Sequence, residues 1–202
     1  VLSVAIQHHP SRAHLLAALR ARLGEAEVVR DPDPTGPRSA LRTYRLALKR
    51  TPKDASHRIV IQDDAWPCPG FRERAERAIR ERPEELIAFF VPGVGTHRMA
   101  MQRAASLGEP WVQLPSASWA PTVALAWTVE LARDFIAWSE EHFPGPVEGD
   151  DGPVGAWARG RKLPVWATVP SLVEHPNEEP SLFGKASKGA ANRGRVAAVP
   201  LH

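Results

Sequence analysis

Asp63 and Asp64 close a short apolar run, Ile59-Val60-Ile61, with Gln62 between them and the run. The turn formers Pro67, Pro69 and Gly70 follow at once. Ile59 to Ile61 are β-branched and predict a buried strand. Folding alone does not ask for two acids at the end of such a strand. Like charges side by side repel, and a buried carboxylate is costly unless it is paired or binds a cation. In parallel sheets, the carboxyl ends of the strands are where ligands bind. The pair is therefore either a solvated turn or a metal and substrate site. A site of this kind suits Mn²⁺ or Mg²⁺, which take carboxylate oxygen and bridge to substrate phosphates. The sequence holds no Walker lysine motif and no glycine-rich dinucleotide fingerprint, which removes the commonest phosphate-binding folds.

Four further clusters carry chemistry-bearing side chains. In His8-His9-Pro10-Ser11-Arg12, Arg12 can pair with a diphosphate or stack on a base; the bland alternative is a helix-capping turn with an exposed arginine. Asp31, before Pro32, can accept from a nucleobase or ribose, or simply form an Asp-Pro turn. Asp150 and Asp151 precede Gly152-Pro153 and an apolar segment, as helix caps do. The functional alternative is a carboxylate at a helix start, acting as a general base. His175 ends Pro170-Ser171-Leu172-Val173-Glu174-His175; it is either a satisfied histidine or an extra cation ligand. Cys68 has no identifiable base partner and is a poor nucleophile. Most of the seven tryptophans read as core, with one or two free to stack on a sugar or base.

The elements that must position these residues alternate. Leu2 to Ile6 predicts a strand, and Leu15, Leu16, Leu19 and Leu23 recur at helical spacing before Gly24. Glu27-Val28-Val29 is a second strand, Ser39 to Lys49 a helix, and the strand ending at Asp63-Asp64 comes next. Phe71 to Arg82 is a charged helix, Leu86 to Val91 a strand and Val112 to Leu114 a short strand. Thr122 to His142 holds a long helix near its end, carrying Leu131, Phe135 and Trp138, and Leu163 to Pro170 is extended. From about Pro176 the chain is polar, basic and rich in Gly, Ala and Ser. Residues 1–176 thus read as one domain and 177–202 as a tail that is flexible or orders on binding. Strands alternating with helices predict an α/β fold with a mostly parallel sheet.

The bulk properties fit that picture. A chain of 202 residues with 43% hydrophobic and 24% charged residues is long enough for one well-cored globular domain. No apolar run approaches the roughly 20 residues of a membrane span. The opening Val1-Leu2-Ser3-Val4-Ala5-Ile6 has neither the length nor the basic flank of a signal peptide. The single cysteine excludes an internal disulfide and fits a reducing, cytoplasmic setting. A net charge of +3 suits anionic ligands such as nucleotide phosphates or nucleic acid.

Taken in order, the His8-Pro10-Arg12 strand end, the Ile59-to-Ala65 acid block, the Asp150-Asp151 helix start and Pro170 to His175 resemble glycosyltransferases of the GT-A type. They are most similar to short relatives of glycosyltransferase family 25, including proteins of bacteriophages of actinobacteria. The resemblance spans the chain to about residue 176. It implies a single-domain nucleotide-binding α/β sandwich that moves a sugar from a nucleotide-sugar donor to an acceptor hydroxyl. It further implies that Asp64, supported by Asp63, holds Mn²⁺ or Mg²⁺ together with His175. His8, Arg12 and Asp31 would lie at the nucleotide, and Asp151 or Asp150 would be the base. The family's motif usually opens on an acid, and that position is Gln62 here. For a phage protein, the expected place is the host cytoplasm, and the acceptor a modified DNA base or a virion protein.

Two other functions compete. Lys185, Lys188, Arg193 and Arg195, interleaved with small residues, suit a non-catalytic nucleic-acid-binding module. A metal-dependent phosphohydrolase would use the same acids but needs more converging carboxylates and histidines.

Overall fold

A computed structural model describes residues 1–115, 119–176 and 196–201. A seven-stranded sheet forms its centre. The strands are β1 (Leu2–His8), β2 (Glu27–Arg30), β3 (His57–Gln62), β5 (Leu86–Ala88), β6 (Trp111–Gln113), β7 (Ala124–Thr128) and β8 (Val165–Thr168), in the order β2-β1-β3-β7-β5-β8-β6. Five strands run one way; β7 and β6 run against them. A small antiparallel pair, β4 (Trp66–Pro67) with β9 (Val173–Glu174), sits beside the sheet.

Alternation along β3 divides the core. Ile59 and Ile61 face one side, with Ile6, Phe89 and the helices α1 (Leu16–Leu23) and α3 (Phe71–Glu81). Val60 faces the other, with Ala5, Trp127 and the helices α2 (Ala40–Lys49), α5 (Val129–His142) and α6 (Asp151–Arg161). Tyr44, Trp127, Phe135 and Trp157 form an aromatic cluster on that second face. Each large side chain buried there contributes about 1.5–3 kcal/mol of hydrophobic stabilisation. Trp127 Nε1–H donates to Tyr44 Oη at 2.9 Å, so the buried indole is satisfied.

The expected α/β class and mostly parallel direction are present, with three local differences. The long helix expected near the end of Thr122 to His142 runs from Val129 to His142, but the residues before it form a strand that was not expected, β7, antiparallel and at the middle of the sheet. All five residues of β7 are buried, so no polar alternation marks the strand. Thr128 ends it and caps α5, its Oγ1 accepting from Leu131 N–H at 3.1 Å. A helix not expected at all, α4 (Gly95–Ser106), buries only His97, Met101 and Ala104. The first expected helix opens instead as a 3₁₀ segment, Pro10–Leu15.

Of the expected tail, 196–201 pack against the body. Gly93 N–H donates to the Val196 carbonyl, Ala198 N–H to Val91 and Ser171 N–H to Val199. Residues 177–195 and 202, with Lys185, Lys188, Arg193 and Arg195, lie outside the described residues. Among the described residues, no helix is long and apolar enough to cross a membrane.

Candidate active site

β1 and β3 are parallel neighbours, so their carboxyl ends emerge together, with Gln7 opposite Gln62. Asp63 N–H extends the ladder by donating to the Gln7 carbonyl at 3.1 Å. This turns Asp63 toward the loop after β1. Its Oδ2 accepts from His9 N–H at 2.8 Å and lies 2.9 Å from His8 Nδ1; its Oδ1 accepts from an Arg12 Nη at 3.0 Å. The same Arg12 nitrogen lies 2.8 Å from Asp64 Oδ2. Arg12 is held over both carboxylates because the 3₁₀ segment departs from helical geometry at this residue (φ −106°, ψ 23°). Such bridge-region backbone is common at functional sites. Arg12, Asp63 and Asp64 are all more than nine-tenths buried, so each carboxylate needs the guanidinium beside it.

His175 reaches this cluster from the far end of the chain. Pairing of Trp66 with Glu174 sets the register of β4 and β9 and brings His175 Nε2 to 2.9 Å from Asp64 Oδ2. The Phe90 ring packs edge-on against the imidazole, 5.8 Å between centroids.

On the other side of the cleft stands the start of α6. Asp150 is 2% exposed; its Oδ1 accepts from Thr122 Oγ1 at 2.5 Å and its Oδ2 from Gln7 Nε2 at 2.9 Å. Burial, opposed by these two hydrogen bonds, pushes its pKa up to about 6. Asp151 is exposed and accepts from Gly152 N–H at 2.9 Å. Asp31, at the end of β2, receives a two-nitrogen contact from Arg42 (2.9 and 3.1 Å) and accepts from Asp33 N–H.

All these side chains line one cleft of about 790 Å³: His8, Arg12, Asp31, Asp63, Asp64, Asp150, Asp151 and His175. The geometry changes their relations. Asp63, expected as support for Asp64, ties Arg12, His8 and the His9 backbone together. Gln7 and Thr122 had drawn no notice in the sequence. Gln7 joins the two sides, bonding both Asp150 and the Ala40 carbonyl at 2.9 Å. Its one local signal is a polar residue inside an otherwise apolar strand.

The donor set suits a divalent cation. A carboxylate oxygen of Asp64 and the imidazole nitrogen of His175 converge in the cleft, a mixed O/N pair that Mn²⁺ accepts. No group of three His, Cys, Asp or Glu residues forms a complete cage among the described residues. An ion here would therefore draw its remaining ligands from phosphate and water, as such ions do at diphosphates.

No family model matches the sequence, and no curated protein does. Solved structures do. A mutant of Drosophila β-1,4-galactosyltransferase 7, in complex with manganese, UDP-Gal and xylobiose, superposes with a TM-score of 0.50 at 9% identity. The match covers 93% of this chain and 74% of that one. Mouse xyloside xylosyltransferase 1, in its apo form, gives a TM-score of 0.41 at 16% identity over 80% of this chain and 71% of that one. At 9% identity the first likeness speaks for architecture: this chain has a GT-A-like α/β fold, with the cleft at the carboxyl ends of β1 and β3.

Proposed function

We propose that this protein is a glycosyltransferase that moves a sugar from a nucleotide-sugar donor to an acceptor hydroxyl. One observation carries this reading. The paired carboxylates with their arginine and histidine, and the acidic start of α6, face each other across a single cleft in a GT-A-like fold. A solved structure with that fold, the Drosophila galactosyltransferase complex, holds manganese and UDP-Gal.

In this reading Asp64 and His175 hold a divalent cation such as Mn²⁺, which when bound offsets the negative charge growing on the departing diphosphate. Asp63 fixes Arg12, His8 and the turn after β1, so that Arg12 faces the same diphosphate. The Asp31–Arg42 pair frames the nucleoside end. Asp151, exposed in the cleft, accepts the proton of the acceptor hydroxyl as that oxygen bonds the anomeric carbon and the bond to the diphosphate breaks. Asp150 is the buried support that anchors the start of α6 through Gln7 and Thr122. This partition sharpens the Asp150/Asp151 alternative: a base must reach substrate, and Asp150 is 2% exposed.

Isothermal titration calorimetry with nucleoside diphosphates, with and without Mn²⁺, tests the proposal. Binding that strengthens with Mn²⁺ and loses that gain in Asp64→Asn is the expected result. No nucleotide binding under either condition overturns it.

A further inference from the structure

The loop between β2 and α2 lines the cleft, and it is folded around one arginine. Arg42 Nε and one Nη donate to the two carboxylate oxygens of Asp31, at 2.9 and 3.1 Å. The same Nη donates to the Asp33 carbonyl at 2.7 Å, and the other Nη to the Pro37 carbonyl at 3.1 Å. Asp33 N–H adds a bond to Asp31 Oδ1 at 3.1 Å. Asp31, expected to accept from a nucleobase or ribose, therefore spends its carboxylate inside its own loop.

Within this loop, Asp33-Pro34-Thr35-Gly36 has the residue pattern of a tight turn, with Asp first, Pro second and Gly last. Gly36 N–H closes it on the Asp33 carbonyl at 3.3 Å. Pro32, Pro34 and Pro37 each fix φ, which stiffens the loop further. His9 ties the turn to the acid pair: its Nε2 lies 3.3 Å from the Pro34 carbonyl, and its backbone N–H donates to Asp63 Oδ2 at 2.8 Å. The turn thus stands at a fixed distance from Asp63 before any ligand arrives, and a preformed loop lowers the ordering cost of binding.

Two side chains of the loop stay open to the cleft. Thr35 and Arg38 are exposed, line it, and make no side-chain hydrogen bond among the described residues. A hydroxyl and a guanidinium both donate, so together they suit a ring carbonyl. Uracil and guanine carry one; adenine does not. We infer that this turn selects the nucleobase, with Thr35 and Arg38 donating to a ring carbonyl and Arg42 as the positioning residue that holds the turn in place. The inference rests on the transferase reading above and adds which residues choose the nucleoside.

Calorimetry in Mn²⁺ with UDP, GDP, ADP and inorganic pyrophosphate tests it. Pyrophosphate has the charge without a base, so the affinity of each nucleotide relative to it isolates the nucleoside end. The wild type should bind UDP or GDP at least tenfold more tightly than ADP. Thr35→Ala with Arg38→Gln, both at exposed positions, should cut that preference about tenfold. Arg42→Lys keeps the charge but loses the planar fork. It should cut the preferred nucleotide about tenfold relative to pyrophosphate and speed amide exchange at Gly36, which the double variant leaves protected. If circular dichroism shows Arg42→Lys unfolded, the double variant decides alone. A wild type that binds ADP as well as UDP and GDP, or a preference that the double variant leaves unchanged, overturns the assignment while nucleotide binding keeps the transferase reading intact. A folded Arg42→Lys with wild-type ratios removes its positioning role. No nucleotide binding by the wild type itself would instead remove the reading on which the inference depends.

Discussion

The chain contains the same dipeptide at two sides of one cleft, Asp63-Asp64 and Asp150-Asp151, and the two have opposite electrostatic environments. At the end of β3 both aspartates are buried, and a guanidinium lies within 3.0 Å of each. At the start of α6 only one aspartate is buried. Its hydrogen-bond partners, Gln7 and Thr122, are neutral. Burial without a counter-charge favours the protonated acid, and so the Asp150 pKa climbs to about 6. The neighbouring Asp151 is exposed to solvent. In the proposed reading, the guanidinium at one pair builds a phosphate-facing site, and the neutral donors at the other build a helix anchor with the candidate base beside it.

The contrast can be broken most severely at the exposed acid. Asp151→Asn should lower sugar transfer by about 10²–10⁴-fold, the usual contribution of a general base, while UDP affinity is unchanged. Steady-state transfer assays beside calorimetry would show it, and an equal fall in donor affinity would move Asp151 out of the base role. Next in size is removal of the shared cation. Arg12→Met leaves two buried carboxylates without it and should destabilise the fold by about 3–5 kcal/mol in urea unfolding. A loss under about 1 kcal/mol would mean that solvent already screens the pair.

Asp150 gives the third test, through pH. Its folded-state pKa of about 6 lies above the ordinary 3.8, so the folded protein retains a proton that the unfolded chain has released between those values. The stability it contributes is full below about pH 4 and is lost as pH rises through 6, by about 3 kcal/mol in all. Asp150→Asn should therefore gain stability relative to wild type as pH goes from 4 to 8. A stability difference independent of pH would show that Asp150 does not titrate there. The smallest effect concerns the loop that carries this anchor. Ser39 Oγ accepts from Arg42 N–H and from Val147 N–H, both at 3.2 Å, tying the start of α2 to the approach to α6. Ser39→Ala should cost about 1 kcal/mol. It should also loosen amide protection around 147–151 while the Asp63 side stays protected, as hydrogen exchange would reveal.

The strand-end acids were legible because they broke a local rule: charge placed where an apolar run should close on a neutral turn. Arg12 and His175 were legible only as residue types at element ends; their meeting at Asp64 depends on the β4–β9 register, which no local pattern encodes. Gln7 and Thr122 were silent because each makes its decisive contact with Asp150, far along the sequence. β7 was hidden for a different reason. Ala-Leu-Ala-Trp holds good helix formers and no polar alternation, and burial on both faces overrode that local preference.

That same strand governs when the molecule can become whole. Among the described residues, β7 is the strand that joins β3 on one side to β5 on the other. As a ribosome delivers this chain, β1, β2, β3 and β5 all emerge first, and the inner edges of β3 and β5 have nothing to pair with. Open edges of this kind recruit neighbouring chains. The interval between synthesis of Ala88 and Thr128 is thus the exposed period in this protein's life. Slowing translation there should increase aggregation more than a pause after Thr128 has emerged, when the inner edges are paired and the outer edge of β5 still awaits β8.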